Sequence, residues 1–171
     1  DFYLVTSSFS FFPGVPVFHS RDLKNWEQLG YVLDRKEQLP CGYEMLSGGI
    51  FAPTIRYHDG VYYMITTNMS MGCKNFIVTA SNPAGPWSDM HIIEGADGID
   101  PSLFFDEDGK AYYTGTTRGE DESGDFQAIW CCEIDLERFE LKGERKLIWR
   151  GAMIDAIAPE GPHLYKKDGY Y

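Results

Sequence analysis

The hydrophobic pattern of this chain is a series of short apolar runs separated by turn residues. Val15 to Ser20, Asn75 to Ala80 and Gln127 to Ile134 are rich in β-branched and aromatic residues, and each predicts a strand. Val61 to Thr67 is apolar on both alternating sets of positions, as expected of a strand covered on both faces. No helix is required. The polar stretches long enough to form one, Asp34 to Ser47 and Arg118 to Asp125, carry Gly, Pro or clustered acids and read as inter-strand loops.

The pattern repeats. An aromatic pair recurs as Phe2-Tyr3, Tyr62-Tyr63, Tyr112-Tyr113 and Tyr170-Tyr171, at intervals of about fifty to sixty residues. Three of the four follow an Asp-Gly turn or a close variant: Asp59-Gly60, Asp108-Gly109 and Asp168-Gly169. Asp-Gly is a hairpin signal because both turn positions must tolerate positive φ. A second strand, a short polar segment and a last strand follow each aromatic strand. Asp22-Leu23-Lys24-Asn25-Trp26 and Asn82-Pro83-Ala84-Gly85-Pro86-Trp87 fill the polar slot, each placing a Trp where the final strand is expected to begin. Four short antiparallel strands per unit of about fifty residues predict the blades of a β-propeller. An immunoglobulin-like sandwich would show cleaner alternation and no such period. The outermost units are incomplete, so residues 1–171 are expected to form an arc of about three blades within one propeller domain, with chain continuing in both directions.

Composition narrows the class of partner. With 171 residues, 43% hydrophobic and 15% aromatic, the chain can bury a core of about one domain. A formal charge of −11 argues against nucleic acid or an anionic membrane as partner and favours a neutral substrate. No run approaches the roughly 18 apolar residues of a membrane span. The start, Asp1-Phe2-Tyr3-Leu4, lacks the basic residues of a signal peptide, but a leader can be removed in processing, so the compartment is left open. Cys41, Cys73, Cys131 and Cys132 form no C-x-x-C pair and have no His at metal spacing, so free thiols and no metal are expected. Cys131 and Cys132, adjacent in a strand, should point to opposite faces. The histidines, His19, His58, His91 and His163, are scattered singly and read as structural or surface residues.

Candidate chemistry lies where each unit begins. The lead-in segments are Gly49-Ile50-Phe51-Ala52-Pro53, Gly98-Ile99-Asp100-Pro101 and Ala158-Pro159-Glu160-Gly161-Pro162. The first strand of each blade lines the propeller axis, so these segments are expected to converge on one cavity. Asp100 and Glu160 should then share a pocket with Phe51. Taken singly, Asp100 before a proline is a common turn former and Glu160 an acid free to pair with a nearby cation or cap a loop. Equivalent placement in successive repeats favours a shared site. Pro159 and Pro162 fix the backbone around Glu160 and exclude it from a helix interior.

These segments resemble glycoside hydrolase family 43, the five-bladed β-propeller glycosidases, and in particular its β-xylosidase and α-L-arabinofuranosidase branch. The resemblance runs in order through Thr6-Ser7-Ser8-Phe9 with Phe12-Pro13-Gly14-Val15, His19-Ser20-Arg21-Asp22-Leu23-Lys24-Asn25-Trp26, Gly48-Gly49-Ile50-Phe51-Ala52-Pro53, Asp100-Pro101-Ser102-Leu103-Phe104 and Glu160-Gly161-Pro162-His163-Leu164-Tyr165. It implies an inverting glycosidase that removes terminal pentosyl residues from plant-derived oligosaccharides without a cofactor. Glu160 matches the general acid. Asp100 matches the aspartate that orients that acid and tunes its proton affinity. Phe9 and Phe51 match walls of the sugar subsite, to which the position of Ile99 also belongs. The general base matches no residue here and would lie upstream of Asp1, which itself matches a hairpin turn. Relatives often carry Trp at the place of Phe51 and an aromatic at that of Ile99, so the resemblance leaves the preferred pentose open. Asp155, in the segment ahead of the acid, is placed to touch sugar hydroxyls or, the favoured reading, to stand as a solvated loop residue. Inversion by an acid and a base roughly 6.5–9.5 Å apart suits a cavity lined by several blades. Two alternatives differ in class. A silent carbohydrate-binding propeller would keep aromatic walls but lose an acid, and a phosphorylase would need clustered Arg, Lys or His in the lead-in segments.

Overall fold

A computed structural model of the chain describes residues 1–39, 47–121, 124–152 and 158–171. It is all-β. Three antiparallel sheets follow one another along the sequence, each a meander. The first holds β1 (Phe2–Val5), β2 (Gly14–Ser20) and β3 (Glu27–Leu33). The second holds β4 (Thr54–His58), β5 (Val61–Asn68), β6 (Lys74–Ala80) and β7 (His91–Ile92). The third holds β8 (Ser102–Phe105), β9 (Ala111–Asp121), β10 (Gly124–Asp135) and β11 (Glu140–Trp149). The aromatic pairs mark equivalent strands, β1, β5 and β9. None of the sheets closes on itself.

Two apolar interfaces hold the sheets together. Val15, Val17, Leu33, Met64, Phe76 and Trp87 fill the one between the first and second sheets. Ile65, Ile77, Leu103, Tyr113, Trp130 and Cys132 fill the one between the second and third. Successive residues of β5, Met64 and Ile65, therefore point into different cores, which is why this strand is apolar on both faces. Burying each such large side chain stabilises by about 1.5–3 kcal/mol. Cys132 is buried while Cys131 is half-buried, as adjacent strand positions should be, and Cys73, Cys131 and Cys132 are free thiols. Cys41 lies outside the described residues.

The turns sort by backbone geometry. Asp59-Gly60 (φ 46° and 83°) and Asp168-Gly169 (φ 52° and 81°) place both residues in the left-handed region, as the hairpin signal requires. Asp108-Gly109 does not. There only Gly109 is left-handed (φ 83°), its N–H donates to the Asp106 carbonyl at 3.1 Å, and the Asp106 N–H donates to the Lys110 carbonyl at 2.8 Å, which makes a longer turn closed by a glycine.

The expected loop at Arg118 to Asp125 is also corrected. β9 continues to Asp121 and β10 begins at Gly124, with Arg118 opposite Gln127 and Glu120 opposite Asp125. Cross-strand pairing extends the hairpin through residues whose polarity alone suggested a loop. Trp26 directly precedes β3 as expected, whereas Trp87 is buried four residues ahead of β7 and serves the first core instead of opening a strand. In the stretch 34–47 the described part contains one turn of 3-10 helix, Lys36–Gln38. The buried Gln38 amide accepts from the Asp34 and Arg35 N–H groups, each at 3.1 Å, and donates to the Ser88 carbonyl at 2.9 Å. That side chain stitches the first sheet to the second.

Candidate active site

The lead-in segments of Phe51 and Ile99 line one cavity, and that of Glu160 is tied to Asp100. The Phe51 N–H donates to the Thr67 carbonyl at 3.0 Å, and its own carbonyl accepts from Thr66 Oγ1 at 2.6 Å. Just upstream, Phe9 and Ile50 exchange backbone hydrogen bonds of 2.9 and 3.0 Å, and the Phe9 and Phe51 rings meet edge to face at 5.7 Å. Gly49 permits this contact. Its φ is 81°, and a Cβ there would run into the Phe9 carbonyl.

Asp100 is set by the neighbouring segment. Gly98 (φ 88°) lies so close to β9 that a Cβ would collide with the Thr116 carbonyl oxygen. The Ile99 carbonyl accepts from the Thr116 N–H at 2.9 Å, and Asp100 itself sits at φ 56°. Gly98→Ala is therefore expected to destabilise the fold by at least about 2 kcal/mol, combining a left-handed backbone with a backbone clash. A denaturant midpoint unchanged from the native value would refute this reading of the contact.

The two carboxylates come together through their neighbours. Asp100 Oδ2 accepts the Gly161 N–H at 3.2 Å, next to Glu160 in sequence, and Glu160 Oε1 accepts from Gln127 Nε2 at 2.6 Å. Burial, and after it the negative charge of Glu160, push the Asp100 carboxyl above its ordinary range, while the Gly161 N–H opposes the shift. Asp100 is half-buried and Glu160 exposed.

A cavity of about 330 Å³ is lined by Phe51, Met69, Gly98, Ile99, Thr116 and Gln127 among others; contrary to expectation neither Asp100 nor Glu160 lines it, and the two adjoin it through Ile99, next to Asp100 in sequence, and Gln127, which holds Glu160. Phe51 and Ile99 thus form walls. Phe9 is 43% exposed and reaches the cavity only through its contact with Phe51. Asp155 lies outside the described residues. Gln127 is the residue that sequence reasoning missed: buried on β10, it both lines the cavity and holds Glu160. Its one visible signal was a polar side chain opening an apolar strand. Arg118, read as loop, lines the same cavity across the ladder from Gln127. Among the described residues no group of three or more His, Cys, Asp or Glu is placed to hold a metal ion.

The raised proton affinity of Asp100 has a consequence for stability. The unfolded chain ionises Asp100 near 3.8, the folded chain only at higher pH, so the folded state binds more protons across that window. The contribution of this group is favourable below about 3.8 and is lost as pH rises through the raised value. Asp100→Asn keeps an acceptor for the Gly161 N–H, and asparagine tolerates the left-handed backbone. We expect the variant to melt above the native protein at pH 7 and level with it near pH 3. Native protein as stable as the variant at pH 7 would contradict this.

The sequence profile of glycosyl hydrolases family 43 matches residues 1–171. A xylosidase/arabinosidase of Butyrivibrio fibrisolvens is 58% identical over all of this chain and 34% of its own length. A non-reducing end α-L-arabinofuranosidase of Bacteroides ovatus is 43% identical over all of the chain and 31% of its own. The crystal structure of a xylan β-1,4-xylosidase from Bacillus halodurans superposes with a TM-score of 0.88 at 41% identity, covering 98% of this chain and 33% of that one. The chain spans about a third of the length of the curated relatives it matches. A profile that takes in every residue, including both carboxylate-bearing segments, places this chain in glycosyl hydrolases family 43.

Proposed function

We propose that this chain is the acid-bearing part of a five-bladed β-propeller glycosidase that removes terminal xylosyl or arabinofuranosyl residues from plant-derived oligosaccharides with inversion. Residues 1–171 belong to one catalytic domain. The observation that carries the reading is that Asp100 accepts the N–H of Gly161, the residue after Glu160, and feels the charge of Glu160, while Ile99 and the Glu160 partner Gln127 line a cavity walled by Phe51. The relatives described above, a xylosidase/arabinosidase and a non-reducing end α-L-arabinofuranosidase, support the substrate class.

In this scheme Glu160 protonates the departing glycosidic oxygen. Gln127 donates to Oε1, which leaves Oε2 to carry the transferable proton toward the substrate. Asp100 is tied to the backbone immediately after Glu160, so it holds the acid's lead-in segment in place. Its charge also disfavours a second negative charge in the pocket. The apolar wall of Phe51 and Ile99, with Phe9 at its edge, takes the face of the sugar ring. The general base comes from polypeptide outside residues 1–171 and activates water on the opposite face, roughly 6.5–9.5 Å from the acid.

The test uses a polypeptide of the relatives' length, incubated with aryl β-xylosides and α-L-arabinofuranosides while proton NMR follows the first sugar released. Initial α-xylose from a β-xyloside is the expected product. Release of neither pentose would overturn the function, and initial β-xylose would overturn the inverting mechanism.

A further inference from the structure

We propose that Asn75 is a positioning residue that fixes the Phe51 wall of the cavity against the segment bearing Asp100; the inference rests on the roles given above to Asp100 and Glu160. Asn75 lies on β6, opposite Thr67 of β5, and is fully buried. Its Oδ1 accepts from Thr67 Oγ1 at 2.6 Å. Its Nδ2 donates to the Ala96 carbonyl at 2.6 Å and to the Gly98 carbonyl at 3.1 Å, and its backbone carbonyl accepts the Ile93 N–H at 2.9 Å. Two carbonyls can only accept, so the amide has one permissible orientation.

Each partner stands one step from the site. Thr67 is the residue whose carbonyl receives the Phe51 N–H, and Gly98 leads through Ile99 to Asp100. One side chain therefore spans both walls. The segment from Ile93 to Pro101 lies between β7 and β8 and has no ladder of its own to hold it. Arg145 also grips it, at the Gly95 carbonyl and the Asp97 carboxylate, but from the exposed side and without touching the Phe51 support. Asparagine is specified chemically at this place. An aspartate would set a carboxylate against two carbonyl oxygens, a glutamine would overreach, and an apolar residue would leave Thr67, Ala96 and Gly98 without their partner.

A tie that merely stabilises the fold would scale activity on all substrates alike. A tie that aims Asp100, and through it Glu160, must act on the proton-transfer step, which poor leaving groups need and activated ones do not. The experiment measures kcat and KM on aryl pentosides of high and low leaving-group pKa, in the natural polypeptide, for Thr67→Val, Asn75→Ala and Glu160→Gln. Thr67→Val removes the bond to Asn75 Oδ1 but keeps the backbone acceptor for Phe51, so it decides the matter even where Asn75→Ala does not fold. We expect Thr67→Val, folded by circular dichroism, to lose about tenfold in kcat on the poor leaving group and less than about threefold on the activated one, in the same direction as Glu160→Gln. Equal losses on both substrates, or none, would overturn the positioning role while leaving Glu160 its own. Absence of leaving-group dependence in Glu160→Gln as well would instead bring down the functional reading, and this inference with it.

Discussion

Residues 1–171 on their own are expected to turn over aryl β-xylosides and α-L-arabinofuranosides at least about 10²-fold more slowly than a polypeptide of the relatives' length. Glu160 and Asp100, the proposed acid and its partner, are present, but the remaining lead-in segment, Phe51-Ala52-Pro53, is apolar where a third carboxylate would have to stand. Water would then attack without a general base, whose help is typically worth ~10²–10⁴-fold. The three sheets do not close, so a sugar beside Phe51 and Ile99 stays partly solvated and loosely oriented, which deepens the loss. The two polypeptides are assayed side by side, with the folding of the shorter one checked by circular dichroism. Comparable turnover would place the base within residues 1–171 and contradict the scheme.

What could be read from the sequence was local or periodic. The Asp59-Gly60 and Asp168-Gly169 turns are short-range signals whose backbone requirement few residues meet, and the structure realises both. Convergence of Asp100 and Glu160 was legible because each opens a unit of the same repeat, so topology brings them together without any contact being known in advance. Non-local contacts were not legible. Gln127 meets Glu160 across 33 positions of chain, through a hairpin whose polar flanks at Arg118 to Asp125 looked like a loop. Trp87 matched the slot of Trp26 but is drawn into the core between the first two sheets, where burial outweighs its place in the repeat. The rise in the proton affinity of Asp100 was not legible either, because it comes first from burial, which only the folded chain sets. Phe9 keeps its contact with Phe51 but stands at the rim, because the bridge to Ile50 holds its backbone at φ 48° and leaves the ring exposed.

Glu160→Gln is expected to slow hydrolysis of pentosides with poor leaving groups by ~10²–10⁴-fold. The substitution keeps the size and shape of the side chain and an oxygen to accept from Gln127 Nε2, so the packing around Pro159 and Pro162 is retained. What it removes is the proton. A sugar or alkoxide leaving group cannot depart without one, while an activated aryl oxide departs with little protonation and feels the loss less. A residue that only bound substrate or supported the fold would not tell the two apart.

The decisive measurement is turnover of native and Glu160→Gln protein on xylobiose and on an activated aryl β-xyloside, side by side in the polypeptide of the relatives' length. A loss of ~10²–10⁴-fold on xylobiose and of less than about tenfold on the aryl xyloside is expected if Glu160 is the proton donor. Equal loss on both would show that Glu160 does not donate the proton.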